Sequence, residues 1–431
     1  MDFAAALDWL NRHINYEAMA RAGRIEGLSL DAMRELVATL GDPQSAYPVI
    51  HITGTNGKGS TARVITRLLM AHGLSVGTYT SPHLERYTER IRWNDEEVSE
   101  EAFGAAIEAV ATVEELLAAA PTHFEALTAG ALHLFADVAV DVAVVEVGLL
   151  GRYDATNVVD ADVAVVTNVG RDHTDLQGDW RWKVAEEKAG IVKGASHLVL
   201  GETDPRLGAA FLAEGPAATW RRGADFDCDQ NRLAVGGRLV TLRTPHHSLD
   251  DLFLPLHGAH QGDNAAVALA AVEAFFGRPV AEEVADEALR AVRVPGRFEV
   301  LRRQPLVILD GAHNPDGAEA AGAVLAEEFT VDGRRTLVMG VLTGRDAEAM
   351  LAGVEAPTFD RVICCTPTSP RAMPADELAT LARRLAAPAE PAASVEEGLA
   401  RALYDAGEAD LVFVTGSLYL VGAARAILTR S

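Results

Sequence analysis

His51-Ile52-Thr53-Gly54-Thr55-Asn56-Gly57-Lys58-Gly59-Ser60-Thr61 is the stretch on which the reading of this chain turns. The apolar run over 47–52 leads into it and reads as a buried strand, and a helical pattern opens near Ser60. Three glycines and one lysine lie between them. A strand, a glycine-rich turn and a helix in that order predict a phosphate-binding loop. Backbone N–H groups line the turn, and the positive end of the helix dipole faces the same space. On this reading Thr55, Asn56, Gly57, Lys58, Gly59 and Ser60 cradle a nucleotide, and Lys58 brings a point charge to its β- and γ-phosphates. The match to the Walker pattern is partial, because Gly59 stands where that pattern has Ser or Thr, and Ser60 follows.

The bulk properties narrow the field. A chain of 431 residues is too long for one ordinary core, so two or three domains are expected. Hydrophobic residues at 49% suit a globular α/β protein. A formal net charge of -24 argues against binding nucleic acid or an anionic membrane through the overall field. An anionic nucleotide can then bind only through local devices such as the loop. The three cysteines, Cys228, Cys364 and Cys365, form no disulfide framework, and the adjacent pair sits in an apolar run. This suits a reducing, cytoplasmic setting. The opening Met1-Asp2-Phe3-Ala4 shows no basic segment ahead of an apolar core, so no secretory signal is expected. No apolar run is long enough for a membrane span.

Working outward, helices are expected over 3–14, from a Ser29 cap to Gly41, over 60–71, from Ser99 to about 120, and over 122–135. Strands are expected over 76–79, 141–148, 162–168 and 197–200, with a helix over 186–192. Near-continuous valine runs predict strands buried on both faces, as in a parallel sheet. The section 220–254 alternates over short runs around a Gly236-Gly237 turn and reads as a small antiparallel element. Helices return over 261–276 and 281–292, and Val294-Pro295-Gly296-Arg297 is the best linker. Beyond it, strands over 306–310, 336–340, 361–365 and 411–414 alternate with helices, and the alanine-rich stretch 386–393 reads as a surface loop. The expected fold class is α/β: an N-terminal phosphate-loop, parallel-sheet ATPase domain over 1–295, and a smaller C-terminal Rossmann-like α/β domain over 296–431.

Several polar residues fall where apolar strands end, the edge at which open α/β sheets bind ligands. Glu146 ends one strand; a strand-terminating acid beside a turn is the competing reading. His173 follows another, and Ser81 follows the strand after the loop helix; singly they read as a structural histidine and a turn serine. Together, one carboxylate, one imidazole and one hydroxyl can hold Mg²⁺ against a nucleotide, although imidazole is an unusual ligand for that ion. Lys188 alone reads as a solvated helix lysine. Asp310-Gly311-Ala312-His313-Asn314-Pro315 closes a strand and opens a helix, so it can bind ribose or phosphate oxygens, or Asn314 can simply cap the helix. Arg297 can clamp a phosphate or stand exposed, and Asn264 has a helix-capping alternative.

The ordered set of motifs resembles the folylpolyglutamate synthase/dihydrofolate synthase family of the Mur ligase superfamily. It comprises Gly54-Thr55-Asn56-Gly57-Lys58-Gly59-Ser60; Ser81-Pro82-His83-Leu84; Phe124-Glu125; Glu146-Val147-Gly148 with Asp154-Ala155-Thr156-Asn157; Thr167-Asn168 with Asp172-His173-Thr174; Glu187-Lys188-Ala189-Gly190; His260-Gln261 with Asn264; Gly296-Arg297-Phe298-Glu299; Asp310 to Pro315; and Thr415-Gly416-Ser417-Leu418-Tyr419. The resemblance implies an ATP-dependent amide ligase that adds L-glutamate to a folate or dihydropteroate carboxylate through an acyl phosphate. It implies that Lys58 and its loop hold the phosphates, that Ser81, Glu146 and His173 are ligands of magnesium ions, two in number, and that Lys188 carries a CO₂-derived carbamate. It further implies that Asn264, Arg297 and Asp310 contact the nucleotide, that His313 and Ser417 lie in the glutamate/phosphate cleft, and that Phe124 stacks on the pterin or else is a core aromatic.

There are departures. Leu150 stands where the family usually has a second glycine, and Tyr153 where leucine is common. Gly344-Arg345-Asp346 replaces a frequent Asp-Lys-Asp, so a cation site or glutamate contact there is open. The expected partners are small molecules, with no nucleic acid or membrane, and the chain is expected to be a monomer. The rivals are another Mur-type amino-acid ligase and a non-catalytic nucleotide-binding module. The Lys58-Gly59-Ser60 and Ser81-Pro82-His83-Leu84 stretches argue against the first, and the second has no need of Glu146, His173 and Lys188 together.

Overall fold

The computed structural model describes residues 1–19, 29–171 and 177–430, which form three sheets. The first and largest contains β1 (Val49–Thr53), β2 (Val76–Tyr79), β3 (Ile91–Trp93), β4 (Glu96–Glu97), β5 (Val142–Glu146), β6 (Val163–Val166), β7 (His197–Leu200) and β8 (Ala218–Arg221). Their spatial order is β4-β3-β2-β5-β1-β6-β7-β8. Neighbours from β2 to β8 pair in parallel, and only the β2–β3 and β3–β4 pairs at the edge are antiparallel. Every residue of β1, β5 and β6 is buried, as the valine runs require when helices cover both faces. Helices Lys58–Ala71, Ala259–Phe276 and Glu282–Ala291 pack on one face, and Glu100–Val113 and His123–Asp137 on the other.

The second sheet is small and antiparallel: β9 (Asp227–Ala234), β10 (Gly237–Arg243) and β11 (Ser248–Leu254). The third contains β12 (Glu299–Arg303), β13 (Leu306–Leu309), β14 (Arg335–Met339), β15 (Arg361–Cys365), β16 (Ala389–Ala392) and β17 (Leu411–Thr415), in the order β12-β13-β17-β14-β15-β16. Only β12 runs antiparallel, so this half is a second doubly wound sheet. No strand is shared between the halves, and Val294 to Arg297 leads from one to the other.

Four expectations need correction. The antiparallel element begins at Asp227, because the run around Trp220 is β8, which pairs in parallel with β7. The stretch 386–393 is not all loop: β16 extends the third sheet, and its Pro391 is tolerated because the strand is at the edge. The helix expected over 186–192 runs from Trp180 to Ala189, its early turns masked in sequence by two tryptophans on a weakly amphipathic pattern. Helix Pro205–Leu212 was not expected, although Asp204 caps it and Pro205 takes its first position. Other ends shift for ordinary reasons. The helix after Ser99 stops at Val113, and the first helix stops at Leu10.

Helix Pro315–Glu328 docks the second half onto the first at both ends. Near its start, Arg171 Nε donates to Asp316 Oδ1 at 2.5 Å, and Asn314 Nδ2 donates to Asn56 Oδ1 at 2.9 Å. At its end, Glu328 accepts from Arg238, from His257 Nδ1 at 2.7 Å and from Gly258 N at 2.7 Å. Among the described residues, no helix is long and apolar enough to cross a membrane.

Candidate active site

The loop after β1 is held by the loop after β6. Thr55 N donates to Asn168 O at 3.1 Å, Asn56 N to Asn168 Oδ1 at 2.9 Å, and the Thr167 hydroxyl to Asn56 O at 2.6 Å. Gly57 has φ +85, and a Cβ there would overlap the Asn264 amide, so glycine is required twice over. At Gly59 the nearest atom to an added Cβ is Glu146 Oε2, at 3.6 Å, so the missing side chain leaves open the space between helix start and carboxylate. Lys58 Nζ folds back on its own loop, donating to Gly54 O at 3.1 Å and Thr55 O at 3.3 Å.

Glu146 ends β5 and is buried; its Oε2 accepts from Ser81 N at 3.2 Å. Burial raises its pKa, opposed by the Lys58 ammonium, while burial lowers that of Lys58, opposed by Glu146. The two therefore offset each other's desolvation. Ser81 and Glu146 thus meet beside the phosphate loop as expected, whereas His173 lies outside the described residues. No group of three or more His, Cys, Asp or Glu side chains with metal-binding geometry occurs among the described residues. One carboxylate and one hydroxyl beside an open phosphate cradle still suit a hard cation that takes its remaining ligands from phosphate and water.

Lys188 is not a solvated lysine. It is 4% exposed on helix Trp180–Ala189, and no carboxylate among the described residues pairs with it. Burial, with the charge of Lys58 added, holds its pKa well below the usual lysine range, and Asp154 opposes that only in part. Asp154 itself organises the loop after Glu146, accepting from Leu149 N at 2.7 Å and from the Thr156 hydroxyl at 2.5 Å. In that loop Leu150, the departure from glycine, has φ +59. The left-handed backbone is thus kept although the residue best suited to it is not.

Asn264 does not cap its helix, which begins at Ala259 behind Gly258; it sits inside, covering Gly57. Arg297 is half-buried in the cleft, against Gly311. Asp310 accepts from Phe298 N at 3.0 Å and Ala312 N at 2.9 Å, so it shapes the turn that it closes. Asn314 does cap helix Pro315–Glu328, accepting from Gly317 N at 2.8 Å, and also reaches the phosphate loop through Asn56. His313 Nδ1 lies 3.0 Å from Gly311 O, which can only accept, so the neutral ring carries its proton on Nδ1 and its lone pair on Nε2. Burial, then the charge of Arg297, pushes its pKa down to about 4. Ser417 is fully buried at the start of helix Leu418–Arg430, accepting from Leu420 N at 3.2 Å. Phe124 is half-buried: its ring packs against Tyr79 at 6.1 Å between centroids and lies so close to Gly148 that a Cβ there would come within 2.5 Å of it.

One cleft of about 1420 Å³ runs between the halves, lined by Lys58, Ser81, Phe124, Glu146 and Asn264 of the first half and by Arg297, Asp310, His313 and Ser417 of the second. Lys188 lies behind the lining of the first half, next in sequence to Glu187, which belongs to it. The volume exceeds the roughly 300–1,000 Å³ of a single small-molecule pocket, so it has room for more than one substrate. Sequence reasoning did not single out Asn168, Asp154, Glu17 or Arg371, all of which line or brace the cleft. Asn168 and Asp154 lay within quoted motifs; Glu17 and Arg371 carried no local signal.

The profile of the Mur ligase middle domain matches residues 52–272, and that of the Mur ligase, glutamate ligase domain matches residues 296–418. The dihydrofolate synthase/folylpolyglutamate synthase of Mycobacterium tuberculosis is 38% identical over 442 residues, covering 93% of this chain and 90% of that protein. A structure of Mycobacterium tuberculosis folylpolyglutamate synthase complexed with ADP superposes with a TM-score of 0.92 at 36% identity, over 100% of both chains. A bifunctional folylpolyglutamate synthase/dihydrofolate synthase with Mn, AMPPNP and L-glutamate bound superposes with a TM-score of 0.86 at 33% identity, over 100% of this chain and 98% of that one. With these matches along nearly its whole length, the chain belongs to the folylpolyglutamate synthase/dihydrofolate synthase family of the Mur ligases.

Proposed function

We propose that the chain is an ATP-dependent ligase that forms an amide bond between L-glutamate and the carboxylate of a folate or dihydropteroate. The observation that carries this reading is the single cleft, in which the phosphate loop and Glu146 of one half face His313 and Ser417 of the other. A nucleotide switch would have no use for the second wall. The division of labour is a nucleotide-binding domain over 1–295 and a glutamate-ligase domain over 296–431.

The chemistry sets the requirements. A carboxylate is a poor acceptor for an amine until one of its oxygens becomes a leaving group. The acceptor carboxylate attacks the γ-phosphorus of ATP, the bond to the β-bridging oxygen breaks, and ADP departs. The amine of L-glutamate then attacks the acyl carbon of the acyl phosphate, and inorganic phosphate leaves. Because charge builds on phosphate oxygens, positioned cations and N–H donors do most of the work. Lys58, released from Gly54 O and Thr55 O, and the N–H groups of 55–60 take the phosphates, with Asn264, Arg297 and Asp310 around the nucleotide. Magnesium ions, two in number, would neutralise phosphoryl charge, held by Ser81, Glu146 and His173. His313, neutral and with its lone pair on Nε2, accepts a hydrogen bond from the attacking amine. Ser417 lines the glutamate side, and Phe124 takes the pterin face.

Lys188 fits a carbamate. CO₂ reacts with a neutral amine, and burial beside Lys58 keeps this amine neutral further down the pH scale than an exposed lysine. The carbamate is anionic, which suits a position near a cation, where an ammonium would repel it. The protein is read as a cytoplasmic monomer acting on small molecules. The test is ADP release with MgATP and dihydropteroate or tetrahydrofolate, each with and without L-glutamate. Release that depends on both acceptor and L-glutamate is expected; none in any complete mixture would overturn the reading, and release with dihydropteroate alone would remove tail extension.

A further inference from the structure

The loop after β5 is clamped to the end of the helix that carries Lys188. Arg152 N donates to Glu187 O at 2.8 Å, and Arg152 Nη2 donates to Glu186 O at 2.9 Å. Asn157, 6% exposed, closes the clamp with one side-chain amide. Its Nδ2 donates to Arg152 O at 2.9 Å and to Gly190 O at 3.0 Å, so the protons of one nitrogen tie the loop to the residue that ends the helix. Its Oδ1 accepts from Lys193 Nζ at 2.8 Å. An ammonium can only donate, so Lys193 fixes which end of the amide is the oxygen. Glycine marks both sides of the contact. A Cβ at Gly190 would come within 2.5 Å of Arg152 Cα, and one at Gly151 would meet the carbonyls of Glu187 and Lys188 at 3.0 Å. Around Lys188, backbone therefore lies directly on backbone.

Glu146 is the last residue of β5, so the loop starts at the carboxylate of the phosphate site. It is stiffened on the way by the Asp154 carboxylate, which accepts from Leu149 N and Thr156 N. It finishes at Asn157, on the turn that holds Lys188. Asn157 itself is not among the residues that line the cleft. We propose that Asn157 is a positioning residue: it fixes the Lys188 turn relative to Glu146, and carbamate occupancy on Lys188 depends on it. The inference rests on the carbamate reading above and adds to it the residue that holds the modified side chain in place. In the covalent step the lone pair of Lys188 Nζ attacks the carbon of CO₂. An N–C bond forms, the electrons of one C–O π bond move to oxygen, and the nitrogen gives one proton to water. The addition is reversible, so its extent follows how well the folded chain holds the product. A turn freed from the loop after β5 holds it less well.

The experiment uses the full chain with Asn157→Ala, Asn157→Asp and Lys193→Met. Aspartate keeps the size and the Lys193 partner but sets an oxygen against the carbonyls of Arg152 and Gly190. Methionine leaves Asn157 in place and removes what orients it. Each is given ¹³CO₂, and the carbamate carbon signal that Lys188→Ala lacks is measured by NMR. ADP affinity by calorimetry, without added metal, reports whether the rest of the cleft is intact. Both Asn157 variants should lose the signal by roughly 10-fold or more, the size expected when a partner that orients a ligating group is removed, while ADP affinity holds. Lys193→Met should lose less, in the same direction. Turnover of the Asn157 variants should recover in part as bicarbonate is added. A wild type that shows the signal, with Asn157 variants that match it within about twofold, overturns the role of Asn157 alone. Loss of the signal together with ADP affinity also overturns it, since that marks a collapse of the whole cleft. If neither Asn157 variant folds, Lys193→Met decides by the same outcomes. A wild type without the signal overturns the carbamate reading and the positioning role together.

Discussion

Replacing Glu328 by alanine should loosen the joint on which the cleft depends. The carboxylate is 3% exposed and accepts from Arg238, His257 and Gly258, all in the first half. The Arg238 side chain is itself only 6% exposed. Truncation therefore strands a buried guanidinium, which costs about 3–5 kcal/mol, and leaves the Gly258 N–H unpaired in the same place. Removing the cation as well should recover much of the loss, since an apolar replacement of a buried pair is often near neutral. Glu328→Ala combined with Arg238→Met should thus be less destabilising than the sum of the single changes. The assay is urea unfolding followed by circular dichroism. There is a pH signature too. Burial alone would raise the Glu328 pKa, but the hydrogen bonds from His257 and Gly258 and the Arg238 charge hold it below the usual glutamate value. A lowered carboxylate pKa adds stability above the unfolded value and loses it as pH falls through the folded one, so the wild type should keep its advantage over Glu328→Ala in mild acid and lose it only as pH falls below the ordinary glutamate range. A cost under about 1 kcal/mol, or strict additivity of the two changes, would refute the stranded-charge argument.

Three further outcomes are expected. Lys188→Ala should abolish turnover and be partly rescued by a small carboxylic acid, and ¹³CO₂ should give the wild type a carbamate carbon signal that the variant lacks; full activity without rescue would return Lys188 to a packing role. His313 should stay neutral down to about pH 4 by NMR titration, and because its folded pKa lies below the unfolded one it should subtract stability as pH falls from about 6.5 towards 4; an inflection of its ring signals near 6.5 would contradict its burial. At Leu150, with φ +59, glycine should shift stability by no more than about 1 kcal/mol, whereas β-branched valine should lower it by about 1–2 kcal/mol, as read by thermal unfolding.

Much of the site was legible because its constraints are local. Gly57 must be glycine for its φ and for the Asn264 amide, and both demands leave a mark in one short motif. Strand ends carrying Glu146 and Ser81 could be placed at one sheet edge because parallel sheets put such ends together. The burial of Lys188 could not be read from Glu187-Lys188-Ala189-Gly190, which looks like any helix surface; only the packing of helix Trp180–Ala189 against the sheet removes it from water. Glu17 and Arg371 were invisible because their contact joins positions far apart along the chain. The edge strands β4 and β16 were missed for another reason. Short, polar or proline-bearing strands lack period and hydrophobicity, and their pairing is decided by the neighbour that they extend.

The central claim is that the acceptor carboxylate is phosphorylated before the amine attacks it, and oxygen labelling tests that most directly. With dihydropteroate or tetrahydrofolate labelled with ¹⁸O in the reacting carboxylate, MgATP and L-glutamate, the released phosphate is analysed by mass spectrometry. Transfer of one ¹⁸O from the acceptor to phosphate for each amide bond formed is the predicted result. Amide formation with unlabelled phosphate would contradict it.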